Sequence, residues 1–136
     1  MPKLRLFLLV MNIEEIREYC LSSAGVEECT PFDENTLVYK VENKMFLFFG
    51  LEYSAEEVFV NVKCNPIYTD KLREKYKGVT PGYYANKKLW NSVKLVSDIK
   101  DSEIKKCVEH SYNEVIKSLP KKLQTKYKLN EVTFDL

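Results

Sequence analysis

The segment Met45-Phe46-Leu47-Phe48-Phe49 restricts the fold more than any other, because five apolar residues in a row leave a strand no polar face to turn toward water. Such a strand belongs in the middle of a sheet with cover on both sides. This run, like Leu6 to Met11, is far below the roughly 20 apolar residues that span a bilayer, so no transmembrane helix and no membrane partner are expected.

The flanking sequence supplies its neighbours. Leu37, Tyr39 and Val41 alternate with Thr36, Val38 and Lys40, and Glu42-Asn43-Lys44 reads as a hairpin turn into the apolar run. Val58, Val60, Val62 and Cys64 alternate with Phe59, Asn61 and Lys63; Leu89, Asn91, Val93 and Leu95 alternate with Trp90, Ser92 and Lys94. If the faces carrying Phe59, Asn61, Lys63 and Trp90, Ser92, Lys94 coincide, they form an amphipathic platform.

Helices are signalled by caps and stripes. Asn12 ahead of Glu15, with Ile13, Ile16, Cys20 and Ala24 in register and Gly25 as a stop, predicts a helix over about 12–23. Asn65-Pro66 predicts an N-cap and a helix to about Tyr76, ended by Gly78, Pro81 and Gly82. The clearest stripe is Ile104, Cys107, Val108, Ser111, Tyr112, Val115 and Leu119, with Lys106, Glu109, His110, Asn113 and Lys117 toward solvent and Pro120 as the break. Helix, three strands, helix, strand, helix defines an α+β fold, a mainly antiparallel sheet with helices packed on it.

The 136 residues hold no repeat or Gly/Ser linker, which gives one domain over 11–128, a leading strand or extension at 1–10 and a C-terminal tail at 129–136. The start imitates a signal peptide, but Glu14, Glu15 and Glu18 follow where a small-residue cleavage site belongs, so a cytoplasmic protein is expected. Cys20, Cys29, Cys64 and Cys107 include no CxxC pair and the chain has a single histidine, so no metal site or disulfide framework is expected and the thiols read as small buried residues.

Catalytic signatures are missing. His110 is read as a solvated residue facing away from Cys107, and no GxSxG, HExxH, Walker-type or dinucleotide glycine pattern occurs. The doublets Glu27-Glu28 and Glu56-Glu57 read as solubilising turn residues, since adjacent side chains do not face one another. No cofactor and no enzyme activity are expected.

Charge is uneven along the chain. Residues 1–58 hold 5 Lys/Arg against 11 Asp/Glu, a balance of −6, whereas residues 59–136 hold 16 against 9, a balance of +7. Within the basic half, Pro81-Gly82-Tyr83-Tyr84-Ala85-Asn86-Lys87-Lys88-Leu89-Trp90-Asn91 combines cations, amides and rings. Those are the groups that hold phosphates, donate to base edges and stack on bases. A lone strand tryptophan also commonly packs into a core, and a lysine pair commonly sits in a solvated loop. Lys117, Lys121, Lys122, Lys126 and Lys128 form a second basic run that suits either a phosphate backbone or a solvated helix end. Eighteen of the 21 basic residues are lysine, and Arg73 is the only arginine beyond position 17. Because guanine is read mainly by arginine, nucleic-acid binding here is expected to be backbone-directed and weakly sequence-specific.

Several of these motifs occur together in a known order. Met11 to Cys20, Pro31-Phe32-Asp33, Thr36 to Val41, Lys44-Met45-Phe46, Asn61 to Pro66, Gly78 to Tyr83, Asn86-Lys87-Lys88 with Trp90-Asn91, His110-Ser111-Tyr112 and Leu119 to Lys122 resemble the MmcQ/YjbR-like family from Met11 to about Lys122. The resemblance implies a fold similar to bacterial frataxin CyaY and a DNA-binding, double-wing label. It sets the family signature on Pro81, Gly82, Tyr83, Asn86, Lys87, Lys88, Trp90 and Asn91. Many members carry histidine where this chain has Tyr84 and Leu89, which leaves no histidine-dependent role at those positions. The site expected on both grounds is Tyr83, Asn86, Lys87, Lys88, Trp90 and Asn91, with Lys94, Lys121 and Lys122 adding attraction, and a monomer binding DNA ahead of RNA. The alternative is a metal- or protein-partner-binding module of frataxin-like fold, drawing on Glu14, Glu15, Glu18, Glu27 and Glu28.

Overall fold

The computed structural model describes residues 12–82 and 85–136. Its elements are α1 (Ile13–Leu21), β1 (Val26–Cys29), β2 (Thr36–Val41), β3 (Lys44–Gly50), β4 (Phe59–Lys63), α2 (Pro66–Lys75), β5 (Val79–Pro81), β6 (Trp90–Lys94), α3 (Asp101–Lys117) and α4 (Lys121–Gln124). The six strands form one antiparallel sheet in the order β1-β2-β3-β4-β6-β5, with β6 inserted between β4 and β5. This is the α+β architecture expected from the element order. No helix among the described residues is long and apolar enough to cross a membrane.

The local signals act as read. Asn12 Oδ1 accepts the Glu15 N–H at 3.0 Å to open α1, and Asn65 Oδ1 accepts the Ile67 N–H at 3.0 Å ahead of Pro66 to open α2. Glu42 and Asn43 take φ of +48° and +63°, the left-handed pair that a two-residue hairpin needs to match strand twist. β3 is central: Leu47 and Phe49 pack toward the helices with Leu37, Tyr39, Val60, Val62 and Val93. A register shift between Tyr39 and Lys40 turns Phe46 to the same side, against Tyr112 of α3. Phe48 faces the other way, with Val38 and Trp90. The apolar run therefore serves two cores at once.

Several expectations are corrected. Two short strands, β1 and β5, lie where only turns were expected. Glu28 is no turn residue: it sits on β1, takes both forks of Arg17 at 3.1 Å and accepts the Tyr39 hydroxyl at 2.5 Å. Burial pushes the Glu28 carboxyl up, but the Arg17 and Tyr39 hydrogen bonds outweigh it and hold it below the usual carboxylate range.

His110 and Asn113 are not solvated. They are 7% and 3% exposed, because the segment set apart as a tail folds back over this side of α3. Asn113 Nδ2 donates to Asn130 O at 2.8 Å, and Phe134 sits 5.1 Å from Tyr68 and 5.3 Å from His110, ring centre to ring centre. His110 Nε2 accepts the Asn65 N–H at 3.1 Å, so the imidazole is used as a neutral acceptor at the start of α2. Residues 1–10 lie outside the described residues.

Candidate nucleic-acid interface

The turn that carries Asn86, Lys87 and Lys88 is built from its own polar groups. Asn86 Oδ1 accepts the Lys88 N–H at 2.9 Å, and Asn86 O accepts the N–H groups of Leu89 and Trp90 at 3.0 and 2.9 Å. Arg73 of α2 then fastens the turn to the domain. Its Nε donates to Asn91 Oδ1 at 2.8 Å, and its Nη2 donates to Lys87 O at 2.5 Å and Trp90 O at 3.3 Å. One guanidinium thus orders both ends of the turn, the use for which its rigid fork is suited. Gly82 N donates to Trp90 O at 2.9 Å, and a Cβ at Gly82 would come within 3.0 Å of Trp90 Cβ, so this crossing needs glycine. Asn86, Lys87 and Lys88 are left exposed, and neither lysine pairs with a carboxylate among the described residues.

Trp90 and Asn91 do not share that surface. Trp90 is 8% exposed, its ring tilted 57° against Phe48 at 5.5 Å. Asn91, on the opposite face of β6, is 1% exposed and bound to Arg73. The indole is therefore a core residue that cannot stack on a base, and the amide positions Arg73 rather than a ligand. Tyr83 lies outside the described residues.

The expected platform faces do coincide, since Phe59 stands opposite Lys94, Asn61 opposite Ser92 and Lys63 opposite Trp90. Its centre is closed, however. Ser92 Oγ donates to Asn61 Oδ1 at 2.7 Å, Asn61 Nδ2 donates to Phe48 O at 3.3 Å, and both residues are buried.

Lys94 is exposed at the far end of β6, about 13 Å along the strand from Trp90 at ~3.3 Å per residue. Beside it lies a concavity of about 130 Å³ lined by Phe59, Lys77, Gly78, Thr80, Ser92 and Lys94. Gly78 O accepts the Lys94 N–H at 2.8 Å, which brings the Lys77-Gly78 turn to the end of β6. The turn is fixed by Asp98, whose carboxylate accepts the N–H groups of Lys77 and Gly78 at 2.7 and 2.9 Å. Burial pushes the Asp98 carboxyl up, and these backbone bonds with the Lys77 charge hold it below its ordinary value.

Lys121 and Lys122 are exposed but belong elsewhere. α4 leads directly into Lys126 and Tyr127, which meet Glu42 at 3.8 and 2.6 Å, so this basic run gathers at the β2–β3 hairpin. Besides Arg73, which is bonded to β6, and the half-buried Lys63 opposite Trp90, the exposed described lysines near β6 are thus Lys87 and Lys88 at one end and Lys77 and Lys94 at the other. Arg73, Lys77, Thr80 and Asp98 were missed by reasoning from the sequence. Only Arg73 carried a signal, as a solitary arginine in a lysine-rich half.

The YjbR family model matches residues 21–114 of the chain. The Escherichia coli (strain K12) protein YjbR is 29% identical over 110 residues, which cover 81% of this chain and 92% of that protein. YbdF of Escherichia coli O157:H7 is 29% identical over 111 residues, 82% of this chain and 89% of its own length. Among solved structures, the Deinococcus radiodurans protein DR2400, with family-model domain DUF419, superposes with a TM-score of 0.80 at 24% identity, covering 91% of this chain and 93% of that one. A Pseudomonas syringae protein superposes with a TM-score of 0.65 at 21% identity, over 76% and 98% of the two chains. These structural likenesses concern the fold.

Proposed function

The chain belongs to the YjbR family, and from that premise we propose that it is a non-enzymatic protein that binds nucleic acid, DNA ahead of RNA, by its phosphate backbone and with little sequence preference. The observation that carries this reading is the set of exposed lysines flanking β6, each without a salt bridge among the described residues: Lys87 and Lys88 on the Arg73-held turn, Lys77 and Lys94 beside the concavity. Lysines act on phosphates as point charges, and a turn held in place loses little entropy when a polyanion arrives.

A non-catalytic role is supported by the state of the groups that catalysis would use. His110 Nε2 accepts the Asn65 N–H, and burial pushes the Cys20 and Cys64 thiols up to about 12 and about 11, where they stay protonated. The metal-binding alternative draws no comparable support: Glu14 and Glu28 both bind Arg17, and no group of three or more His, Cys, Asp or Glu converges as a cation site among the described residues.

Binding of a labelled duplex, titrated at several salt concentrations, tests the reading. Affinity should fall as salt rises, with a slope of about −0.9 for each phosphate neutralised, and should weaken when Lys87 and Lys88 are changed to alanine. No binding at low salt, or binding indifferent to both substitutions, contradicts it.

A further inference from the structure

The concavity at the end of β6 differs from a flat basic patch in having a ring and two hydroxyl-bearing residues between its cations. Phe59 and Lys94 stand opposite each other across β4 and β6, and Thr80 stands opposite Ser92 across β5 and β6, so register alone places these four side chains on one face. Lys77 and Gly78 close the side beside them. The hollow holds about 130 Å³, below the roughly 300 Å³ of a pocket for a whole drug-sized ligand. It is suited to one planar ring rather than to a complete nucleotide.

Its walls match such a ring. Phe59 is partly exposed and packs against Tyr53, ring centres 5.0 Å apart and planes tilted by 58°, so it offers an apolar side. Thr80 carries a hydroxyl group that enters no hydrogen bond among the described residues, whereas the Ser92 Oγ is turned to Asn61. Lys77 and Lys94 are exposed residues of the lining, and their long side chains can carry an ammonium group to phosphates on either side of a seated ring. Asp98 is the nearby acid, and it is engaged by the Lys77 and Gly78 backbone.

We infer that this concavity receives one unpaired nucleobase, with Lys77 and Lys94 on the adjoining phosphates, so that the protein prefers single-stranded to duplex nucleic acid. The inference rests on the phosphate-binding reading above and deepens it. A duplex keeps its bases stacked and paired, so it can use the lysines but cannot fill the hollow. A single strand can do both.

Three probes of equal length distinguish the two levels: an oligothymidylate, an abasic strand with the same phosphates, and a duplex. The oligothymidylate should bind at least about fivefold more tightly than the abasic strand, the range a single ring–base stack supplies. Phe59→Leu, which keeps apolar bulk against Tyr53, should remove most of that advantage while leaving duplex affinity and the melting temperature nearly unchanged. Thr80→Val, which keeps the shape and removes the hydroxyl, should lower oligothymidylate affinity alone. Equal affinity for all three probes, still sensitive to Lys87 and Lys88, overturns the base site and leaves backbone binding standing. Absence of binding to any probe overturns both.

Discussion

Single residues carry the parts of this structure that local sequence patterns misplace. His110 has polar neighbours on its helix, yet a strap 20 residues further on buries it between Tyr68 and Phe134. Burial lowers its pKa, Glu114 and Glu131 acting to raise it and Lys117 to lower it further. The neutral form is therefore favoured by folding. Its stabilising contribution is complete above the ordinary histidine value of about 6.5 and is lost as pH falls through that value toward the lower folded one. Melting temperatures at about pH 7.5 and about pH 5 should accordingly fall less in His110→Gln, whose amide oxygen can still accept the Asn65 N–H, than in the parent chain. An equal fall in both proteins would contradict the assignment. Glu28 titrates with a low pKa, so its contribution persists above the usual carboxylate range and is lost only as pH falls through its folded value. Glu28→Gln should cost about 1–2 kcal/mol near neutral pH by chemical denaturation, a figure reduced because Arg17 is 35% exposed.

At the level of elements, what was legible followed from short-range physics. Caps at Asn12 and Asn65, the alternation in β2, β4 and β6, and the stripe of α3 are set by neighbours a few residues away, and all appear where those patterns put them. β1 and β5 span only four and three residues, too few to show a period, and exist because longer strands pair with them. The segment expected as a tail has no strand or helix of its own to announce its packing: Phe134 is buried in a pocket assembled from α2 and α3, with Leu129 and Val132 packed on the same core. Phe134→Ala should cost about 3 kcal/mol, read as a shift in the denaturant midpoint. Arg73 links elements in the same way, and Arg73→Lys should not rescue Arg73→Ala, because one ammonium cannot reach Asn91 and two carbonyls together. Either variant should lose about 1.5–3 kcal/mol and weaken oligonucleotide binding by freeing the Lys87-Lys88 turn. Rescue by lysine would show that charge alone matters.

For the whole molecule, the described residues of the segment from Pro81 to Asn91 divide their chemistry between surface and core. Side-chain alternation foretold that Trp90 and Asn91 face opposite ways; it could not tell that both faces are covered there, since the cover comes from Phe48 on one side and Arg73 on the other. Trp90 is the only tryptophan, so its emission should be blue-shifted, resist acrylamide, and change little when an oligonucleotide binds; strong quenching by nucleic acid would place the indole at the interface instead. What remains on the surface is two pairs of lysines, one near each end of β6, without a salt bridge among the described residues. The most direct test replaces Lys77, Lys87, Lys88 and Lys94 together by alanine and compares the slope of log affinity against log salt with that of the parent chain. The parent should show a steep negative slope and the variant a much flatter one at unchanged helix content. Identical slopes, or a parent chain that binds nothing at low salt, would contradict a phosphate-directed surface at this site.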